Sequence, residues 1–334
     1  SVSGSMPTAL AAILTGQYPS ELERTPDDLA GFGSKNTFLA EMLSTAGYHT
    51  AGFPSHWYFD GKTGFSDGFD VWQPYFVERG RMKLVPTAET VVTAAVEHLH
   101  RLEPDPSRPF FMWLHILDPL PNYIEHLDIA RFGDKRADRY DHEIRYVDTW
   151  LKWFFDTLKR REDWSRTIVV VAGSRGEAFE QRSPRLLNES NLRVPLIFRV
   201  PGLESRPVDW RISLIDLVPT LLDLADVTSV TRRARNLSLR GHSLIPHFVG
   251  RDTTMSPVFA ESPESLQHAM QLVWLDGSTK LHFDGEENHW QLFDVARDPW
   301  EKEELSMKRP QLSGRLQTAL RRYRSNLDLK PPKR

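Results

Sequence analysis

Three uninterrupted apolar runs of strand length constrain this chain more than any other feature. They are Pro109–His115 (PFFMWLH), Thr167–Gly173 (TIVVVAG) and Val194–Val200 (VPLIFRV). A strand that is apolar throughout, without alternation, is typical of a strand buried on both faces, as in parallel sheets covered by helices. The chain therefore needs helices on either side of these strands.

Helical patterns separate the runs. Thr87–Leu102 carries Val92, Val96 and Leu99 on one stripe, and Asp138–Lys159 places Ile144, Val147, Leu151, Phe154 and Leu158 at helical spacing. Buried strands alternating with amphipathic helices predict an α/β fold with a mostly parallel central sheet and helices on both faces. Pro7–Thr15 predicts a further helix, which ends at Gly16.

The pattern changes after about residue 250. Short strands are predicted at Met270–Trp274, Thr279–Phe283 and Trp290–Asp294, separated by the turn pairs Asp-Gly at 276–277 and 284–285. A terminal helix is predicted from Gln311 to Leu327. We therefore predict two domains, an α/β domain at 1–250 and a small antiparallel subdomain with a terminal helix at 251–334.

Charge and composition exclude several classes of protein. The 42 Lys and Arg against 45 Asp and Glu give a net charge of −3, which argues against a nucleic-acid partner. No apolar run approaches the roughly 20 residues of a membrane-spanning helix. The chain has no cysteine, so disulfides, thiolate metal sites and cysteine nucleophiles are excluded. Asn188-Glu189-Ser190 and Asn236-Leu237-Ser238 match glycosylation acceptors, a pattern that also arises by chance.

Functional groups of open α/β sheets collect after the carboxyl ends of strands. That rule selects His115 and Asp118 after one apolar run, Ser174 and Arg175 after the next, and His56 and Lys62 after the short strand predicted at Tyr48–Phe53. Ser5 and Thr8 lie at a helix start, where backbone N–H groups favour an anion. On residue type alone, Ser5 is expected to be a helix cap, His115 a core residue and Asp118 a turn residue.

Several segments, in order, resemble the sulfatase family of the alkaline-phosphatase-like superfamily. They are Pro7–Pro19 (PTALAAILTGQYP), Ala46–Gly52 (AGYHTAG), Gly68–Asp70 (GFD), Tyr140–Asp148 (YDHEIRYVD), Thr167–Glu177 (TIVVVAGSRGE), Arg193–Ile197 (RVPLI), Asp216–Leu222 (DLVPTLL), Leu239–Leu244 (LRGHSL) and Leu292–Pro299 (LFDVARDP). The resemblance implies sulfate-ester hydrolysis with one divalent cation, usually calcium, and a formylglycine made from Cys or Ser. Related members use Ser or Thr on phosphate-type esters.

Many residues that carry this chemistry differ here. The family's second metal-binding stretch reads Asp-His-Gly-Glu, whereas this chain has Ser174-Arg175-Gly176-Glu177, and the histidine of its Asp-Pro-His loop is Leu120. Serine is a weak neutral ligand, and arginine is a permanent cation that repels calcium. The family's first strand, with its paired metal-binding aspartates, lies upstream of the nucleophile helix and is expected to precede this sequence.

The nucleophile position has two alignments. Anchoring on Pro7 gives Ser5, and counting back from Gly16 gives Met6, which cannot be a nucleophile. The family's later sulfate-binding basic position falls near Ser183, Pro184 or Arg185. We expect substrate-binding positions at Lys62, His115, Arg175 and Arg185. Arg175 is expected to line the former metal cleft and to substitute its charge for the cation by binding an anion.

We therefore expect a sulfatase-like pseudoenzyme with a degenerate metal site, no cofactor, and a binding or scaffolding role. Its expected partners are a small anionic ligand and a companion domain or subunit. The alternative is an active hydrolase or transferase for sulfate or phosphate esters that uses Ser5 or Thr8, with calcium and ligands supplied by an upstream segment. A gene fragment without independent function is a third reading. Family members are commonly exported or tethered to a membrane, and the same extracytoplasmic location is expected here.

Overall fold

The computed structural model describes residues 1–25, 31–59, 63–75, 87–119, 123–179, 187–227, 239–251, 256–264 and 269–330. The chain divides into two compact units. Unit 1 comprises Ser1–Leu39 and Val169–Arg334, and unit 2 comprises Ala40–Ile168. None of the helices in these described ranges combines the length and apolarity needed to cross a membrane.

Unit 2 is built on a parallel sheet. Strand β1 (His49–Pro54) lies between β2 (Val71–Trp72) and β3 (Phe110–His115), and both neighbours run parallel to it. The helices are α2 (Leu39–Thr45), α3 (Ala88–Arg101) and α4 (Arg136–Lys159). The predicted parallel arrangement is confirmed here, because β1 pairs with β3 over its full length from His49 to Pro54.

Burial explains why these segments form their elements. Val92, Val96 and Leu99 on α3 are buried as the 3.6-residue spacing predicts. Aromatic rings from β3 and the 57–72 segment pack edge to face and in stacks, with Phe59 5.5 Å from Trp113 and Phe65 6.4 Å from it between ring centroids. Such rings supply much of the buried apolar area of the unit.

Two sheets are formed by the residues of unit 1 that the structure describes. Strands β4 (Val169–Ala172) and β5 (Leu196–Arg199) form an antiparallel pair, and their residues are half-buried or exposed. The expectation that these two apolar runs are buried on both faces of a parallel sheet is therefore wrong for this pair. The second sheet contains β6 (Val258–Ser262), β7 (Gln271–Asp276), β8 (Thr279–Asp284) and β9 (His289–Asp294), all antiparallel and in sequence order. The predicted C-terminal antiparallel sheet and terminal helix are therefore confirmed, with β6 as an additional strand.

The described residues of unit 1 form helices α1 (Met6–Thr15), α5 (Glu189–Leu192), α6 (Leu217–Leu224), α7 (Ile245–Phe248) and α8 (Pro310–Arg324). Gly16 ends α1 in the left-handed region (φ 69°), where a glycine carries no Cβ penalty. Leu316 and Leu320 of α8 pack with Leu281 and Leu292 of the sheet. The predicted domains, 1–250 and 251–334, stay a prediction.

Candidate functional site

Ser55 and His115 tie together the carboxyl ends of β1 and β3. The Ser55 hydroxyl donates to the His115 carbonyl at 2.7 Å, and the His115 ring Nδ1–H donates to the Ser55 carbonyl at 2.9 Å. Ser55 is completely buried and His115 is 8% exposed. This placement favours a cross-strand structural role for His115, and its role in substrate binding stays a prediction.

Burial lowers the pKa of His115 to about 4, with a smaller contribution from the nearby His56; the bond to the Ser55 carbonyl acts in the opposite direction. The folded state therefore holds the ring neutral where the unfolded chain, with an ordinary histidine pKa near 6.5, already binds a proton. The contribution of His115 to stability is present above pH 6.5 and is lost as the pH falls towards 4.

We expect the stability difference between wild type and His115→Phe to shrink by up to about 3 kcal/mol between pH 7 and pH 4, because phenylalanine removes the titration. Urea unfolding at several pH values measures it. The matched control is Ser55→Ala, which removes a neutral hydroxyl at the same junction. If the difference in free energy of unfolding between wild type and His115→Phe changed with pH no more than that for Ser55→Ala, a buried neutral imidazole would be contradicted.

Asp118 caps the start of α3, although it lies 30 residues after Ala88 in the chain. Its Oδ2 accepts from the backbone N–H of Thr87 at 2.8 Å, from the Thr87 hydroxyl at 2.6 Å and from the backbone N–H of Ala88 at 2.9 Å. A carboxylate at a helix N-terminus satisfies free N–H groups and is stabilised by the helix dipole. Asp118 therefore caps α3, a role that the expectation of a turn residue did not include.

His56 follows β1 and adopts φ 139°, a conformation that a side chain with a Cβ rarely adopts. Its backbone N–H donates to the Tyr75 carbonyl at 3.2 Å, and its Nδ1 accepts from the backbone N–H of Tyr58 at 3.2 Å. Burial lowers the pKa of His56, which favours the neutral ring at neutral pH. Lys62 and Arg185, both predicted to bind substrate, lie outside the described residues.

Ser5 precedes α1 and Thr8 lies in its first turn, both in unit 1. Their hydroxyl groups differ in the hydrogen bonds that they make. Thr8 is 7% exposed, donates its hydroxyl to the Ser5 carbonyl at 3.0 Å and lies 2.7 Å from the Ser3 hydroxyl. Ser5 is half-buried and occupies the N-cap position, but its side chain makes no capping hydrogen bond. The expectation that the Ser5 side chain caps the helix is wrong. The Thr8 hydroxyl has partners within the fold, whereas the Ser5 hydroxyl makes no capping hydrogen bond.

The turn after β4 carries Ser174 and Arg175. Ser1 donates its hydroxyl to the Ser174 carbonyl at 2.7 Å, which joins this turn to the segment that precedes α1. Gly176 donates its N–H to the Asn191 carbonyl at 2.9 Å, and a Cβ there would lie 2.0 Å from the Ser190 carbonyl oxygen. The glycine is therefore required by the close approach of α5.

The Arg175 side chain is exposed, and no carboxylate of the described residues pairs with it. Its predicted position as a pocket-lining, substrate-binding residue stays a prediction. Asn188, one of the two possible glycosylation positions, is 6% exposed and accepts from the Asn191 N–H at 3.0 Å as the cap of α5. The Asn188 side chain therefore caps a helix and is buried. The other possible glycosylation position, Asn236, lies outside the described residues.

The described residues at the end of β4 do not fit a calcium site. Calcium prefers six to eight oxygen ligands, several of them carboxylates. Across the described parts of the chain, no three His, Asp or Glu side chains are grouped so that they could hold a metal ion. At the end of β4, Ser174 offers one neutral hydroxyl and Arg175 a positive charge, neither of which replaces a carboxylate.

Comparison with curated proteins identifies several relatives. The chain is 27% identical over 186 residues to a choline-sulfatase of Rhizobium meliloti, which covers 54% of this chain and 35% of that protein. It is 24% identical over 302 residues to the sulfatase YdeN of Escherichia coli, which covers 71% of this chain and 51% of that protein. The matched region is therefore about half of these relatives or less.

A solved structure shares the fold. Ps i-CgsB in complex with k-i-k-neocarrahexaose superposes with a TM-score of 0.76 at 18% identity, covering 98% of this chain and 83% of that one. The Sulfatase family model matches residues 4–227, about two thirds of the chain. This chain therefore belongs to the sulfatase family.

Proposed function

We propose that this sulfatase-family chain does not hydrolyse esters and instead binds a small anionic ligand. The observation that carries the proposal is the turn after β4, where Ser174 and Arg175 stand in the place of two metal-ligating residues of the family motif. The glycine of the same motif is retained as Gly176, and the close approach of the Ser190 carbonyl gives it a structural reason to be there. The Ser174–Glu177 segment therefore keeps the glycine that the fold requires but not the two metal-ligating residue types.

Ester hydrolysis of this kind needs a hard cation to polarise the ester oxygens and an activated nucleophile. Arg175 supplies one delocalised positive charge, which can bind an anion bidentately but cannot lower the pKa of a bound hydroxyl as a divalent ion does. Binding without turnover is therefore the chemistry that the residues at this turn support best. We also propose that this binding serves a companion domain or subunit at an extracytoplasmic location.

We expect purified protein to give no turnover of 4-nitrophenyl sulfate or 4-nitrophenyl phosphate above the uncatalysed rate, with or without added calcium. Ser5→Ala is expected to behave identically, and circular dichroism confirms that both proteins are folded. An active sulfatase serves as the positive control. Turnover that disappears in Ser5→Ala would overturn the proposal.

One observation favours the alternative, an active sulfate- or phosphate-ester hydrolase or transferase. Ser5 is half-buried at a helix start, and its hydroxyl makes no capping hydrogen bond that a nucleophilic role would have to break. In that case calcium and further ligands would come from a segment upstream of this sequence. The Ser5→Ala comparison distinguishes the two proposals directly.

A further inference from the structure

Two histidines face each other at the amino end of β1. His49 is the first residue of β1, and His98 lies in the last turn of α3. Their Nε2 atoms are hydrogen-bonded at 3.1 Å, and the two ring planes are within 9° of each other. The pair lies at the opposite end of β1 from the junction of Ser55 and His115, so it belongs to a different part of unit 2.

The two rings differ in protonation at Nε2. A hydrogen bond between two ring nitrogens needs one nitrogen that carries a proton and one that does not. The Nδ1 of His49 lies 3.1 Å from Asp70 Oδ2, and an ionised carboxylate accepts hydrogen bonds but does not donate them. His49 therefore carries its proton on Nδ1 and accepts at Nε2, and His98 donates its Nε2–H.

Asp70 is fixed in the position that this arrangement requires. Its Oδ2 also accepts from the Thr50 N–H at 3.1 Å and from the Arg108 guanidinium at 3.2 Å. Its backbone N–H donates to the Thr50 hydroxyl at 2.9 Å. The hydrogen-bonded chain from Asp70 through His49 to His98 therefore joins the last turn of α3 to β1 and to the segment before β2.

The surroundings of the pair decide its protonation. The His49 side chain is 15% exposed, so solvent protons reach it. The charged and titratable groups that the neighbouring elements bring to this end of α3 are Asp70, Glu97, His100, Arg101, Arg108, Arg161 and Asp163. Burial lowers the pKa of His98, with smaller contributions from His49 and Arg101. The His98 ring is therefore neutral at pH 7.

We propose that the pair of His49 and His98 is an acid-sensitive link, which holds the last turn of α3 against β1 at neutral pH and releases it when both rings are protonated. An imidazolium carries a proton on both nitrogens, so two of them place N–H against N–H across the 3.1 Å contact. The hydrogen bond is then lost, and two like charges face each other. A single added proton does not break the link, because the other ring still accepts.

The dependence on pH has a definite direction. The folded pKa of His98 lies below the value of the unfolded chain, which is near 6.5 for an ordinary histidine. The stabilisation of the last turn of α3 by the link is therefore fully present above pH 6.5, and it is lost as the pH falls through the folded value. The proposal concerns unit 2 alone and does not depend on whether the protein hydrolyses esters.

Amide hydrogen exchange tests the link. The Leu102 N–H donates to the His98 carbonyl at 3.0 Å, in the turn that the pair holds, and the Val91 N–H donates to the Thr87 carbonyl at 2.9 Å at the other end of α3. We expect the protection factor of Leu102, corrected for the intrinsic effect of pH on exchange, to fall about tenfold relative to that of Val91 between pH 7 and pH 4.5. A ratio that stays constant over this range would overturn the proposal.

Two variants separate the link from its surroundings. His98→Gln keeps a side-chain amide that can donate to His49 but does not titrate, so the ratio of protection factors should no longer depend on pH. His100→Gln changes an exposed histidine of the same helix and should keep the wild-type fall. The same fall in His98→Gln as in wild type would contradict the proposal.

Nitrogen-15 chemical shifts of the wild-type rings at pH 7 cover the case in which His98→Gln does not fold. They report the protonation of each ring nitrogen directly. We expect Nε2 to carry a proton in His98 and to be unprotonated in His49. The same protonation state at both Nε2 atoms would refute the arrangement on which the link depends.

Discussion

Replacing Lys280 by methionine is expected to lower the free energy of unfolding by about 3–5 kcal/mol. The Lys280 side chain is completely buried in β8, and its Nζ lies 2.5 Å from Glu301 Oε1 and donates to the Leu187 carbonyl at 2.6 Å. The same Glu301 oxygen accepts from the backbone N–H of Glu189 at 2.7 Å. Removing the cation leaves a buried carboxylate without its counter-charge.

Urea unfolding compares Lys280→Met with Lys308→Met. Lys308 pairs with Glu303 at the same 2.5 Å, but both side chains are more than 60% exposed, so its loss should cost less than about 1 kcal/mol. The paired variant Lys280→Met with Glu301→Leu should recover part of the loss, because it removes both buried charges. Glu301 links α5 to the C-terminal sheet, because it bonds both to the Glu189 N–H and to Lys280. Equal losses of unfolding free energy in Lys280→Met and Lys308→Met would contradict a stabilising role for this link.

Asp118→Ala is expected to cost about 3 kcal/mol, the second largest effect. The substitution removes a charged acceptor shared by three donors, and it leaves the backbone N–H groups of Thr87 and Ala88 without that partner at the buried start of α3. Asp118→Asn should cost less, because an amide oxygen still accepts hydrogen bonds.

Urea unfolding and the helical signal in circular dichroism measure the effect of Asp118. Asp105→Ala is the matched control, since Asp105 accepts from the N–H and hydroxyl of Ser107 in an exposed turn, and little change is expected there. If Asp118→Ala left stability unchanged and altered only ligand binding or turnover, the capping role would be wrong and a functional role would be favoured.

The sequence was sufficient to predict the positions of elements that follow from a local pattern. The apolar run that begins at Pro109 is β3, and the Asp-Gly pairs lie between the antiparallel strands. Strand β6 was missed, because its polar members are buried by distant partners. Glu261 is 1% exposed, and it accepts from the Ser20 N–H at 2.7 Å, a pairing across 241 residues.

Helix α4 shows the same limit. Its spacing predicts a buried stripe that includes Ile144, but Ile144 is 43% exposed, whereas the adjacent Glu143 is completely buried. Glu143 accepts from the Ile124 N–H, and His142 Nε2 accepts from the His126 N–H at 3.0 Å. These hydrogen bonds to residues 124 and 126 give the buried side chains of His142 and Glu143 their partners, and apolar periodicity does not report them.

The candidate site was predictable in part for a similar reason. The rule that functional groups follow strands selected His115, Asp118 and Arg175. Asp118 lies after β3 and Arg175 after β4, whereas His115 is the last residue of β3. It could not show that Asp118 holds α3 or that Ser55 and His115 bond to each other, because both arrangements depend on the pairing of segments far apart in the chain.

Calcium binding by equilibrium dialysis tests the central claim most directly, with wild type compared to a variant that carries Ser174→Asp and Arg175→His. The account predicts that wild-type protein retains no stoichiometric calcium, and that any gain appears only in the variant, where a carboxylate replaces a neutral hydroxyl and the guanidinium is removed. One equivalent of calcium bound tightly by the wild-type protein would contradict it.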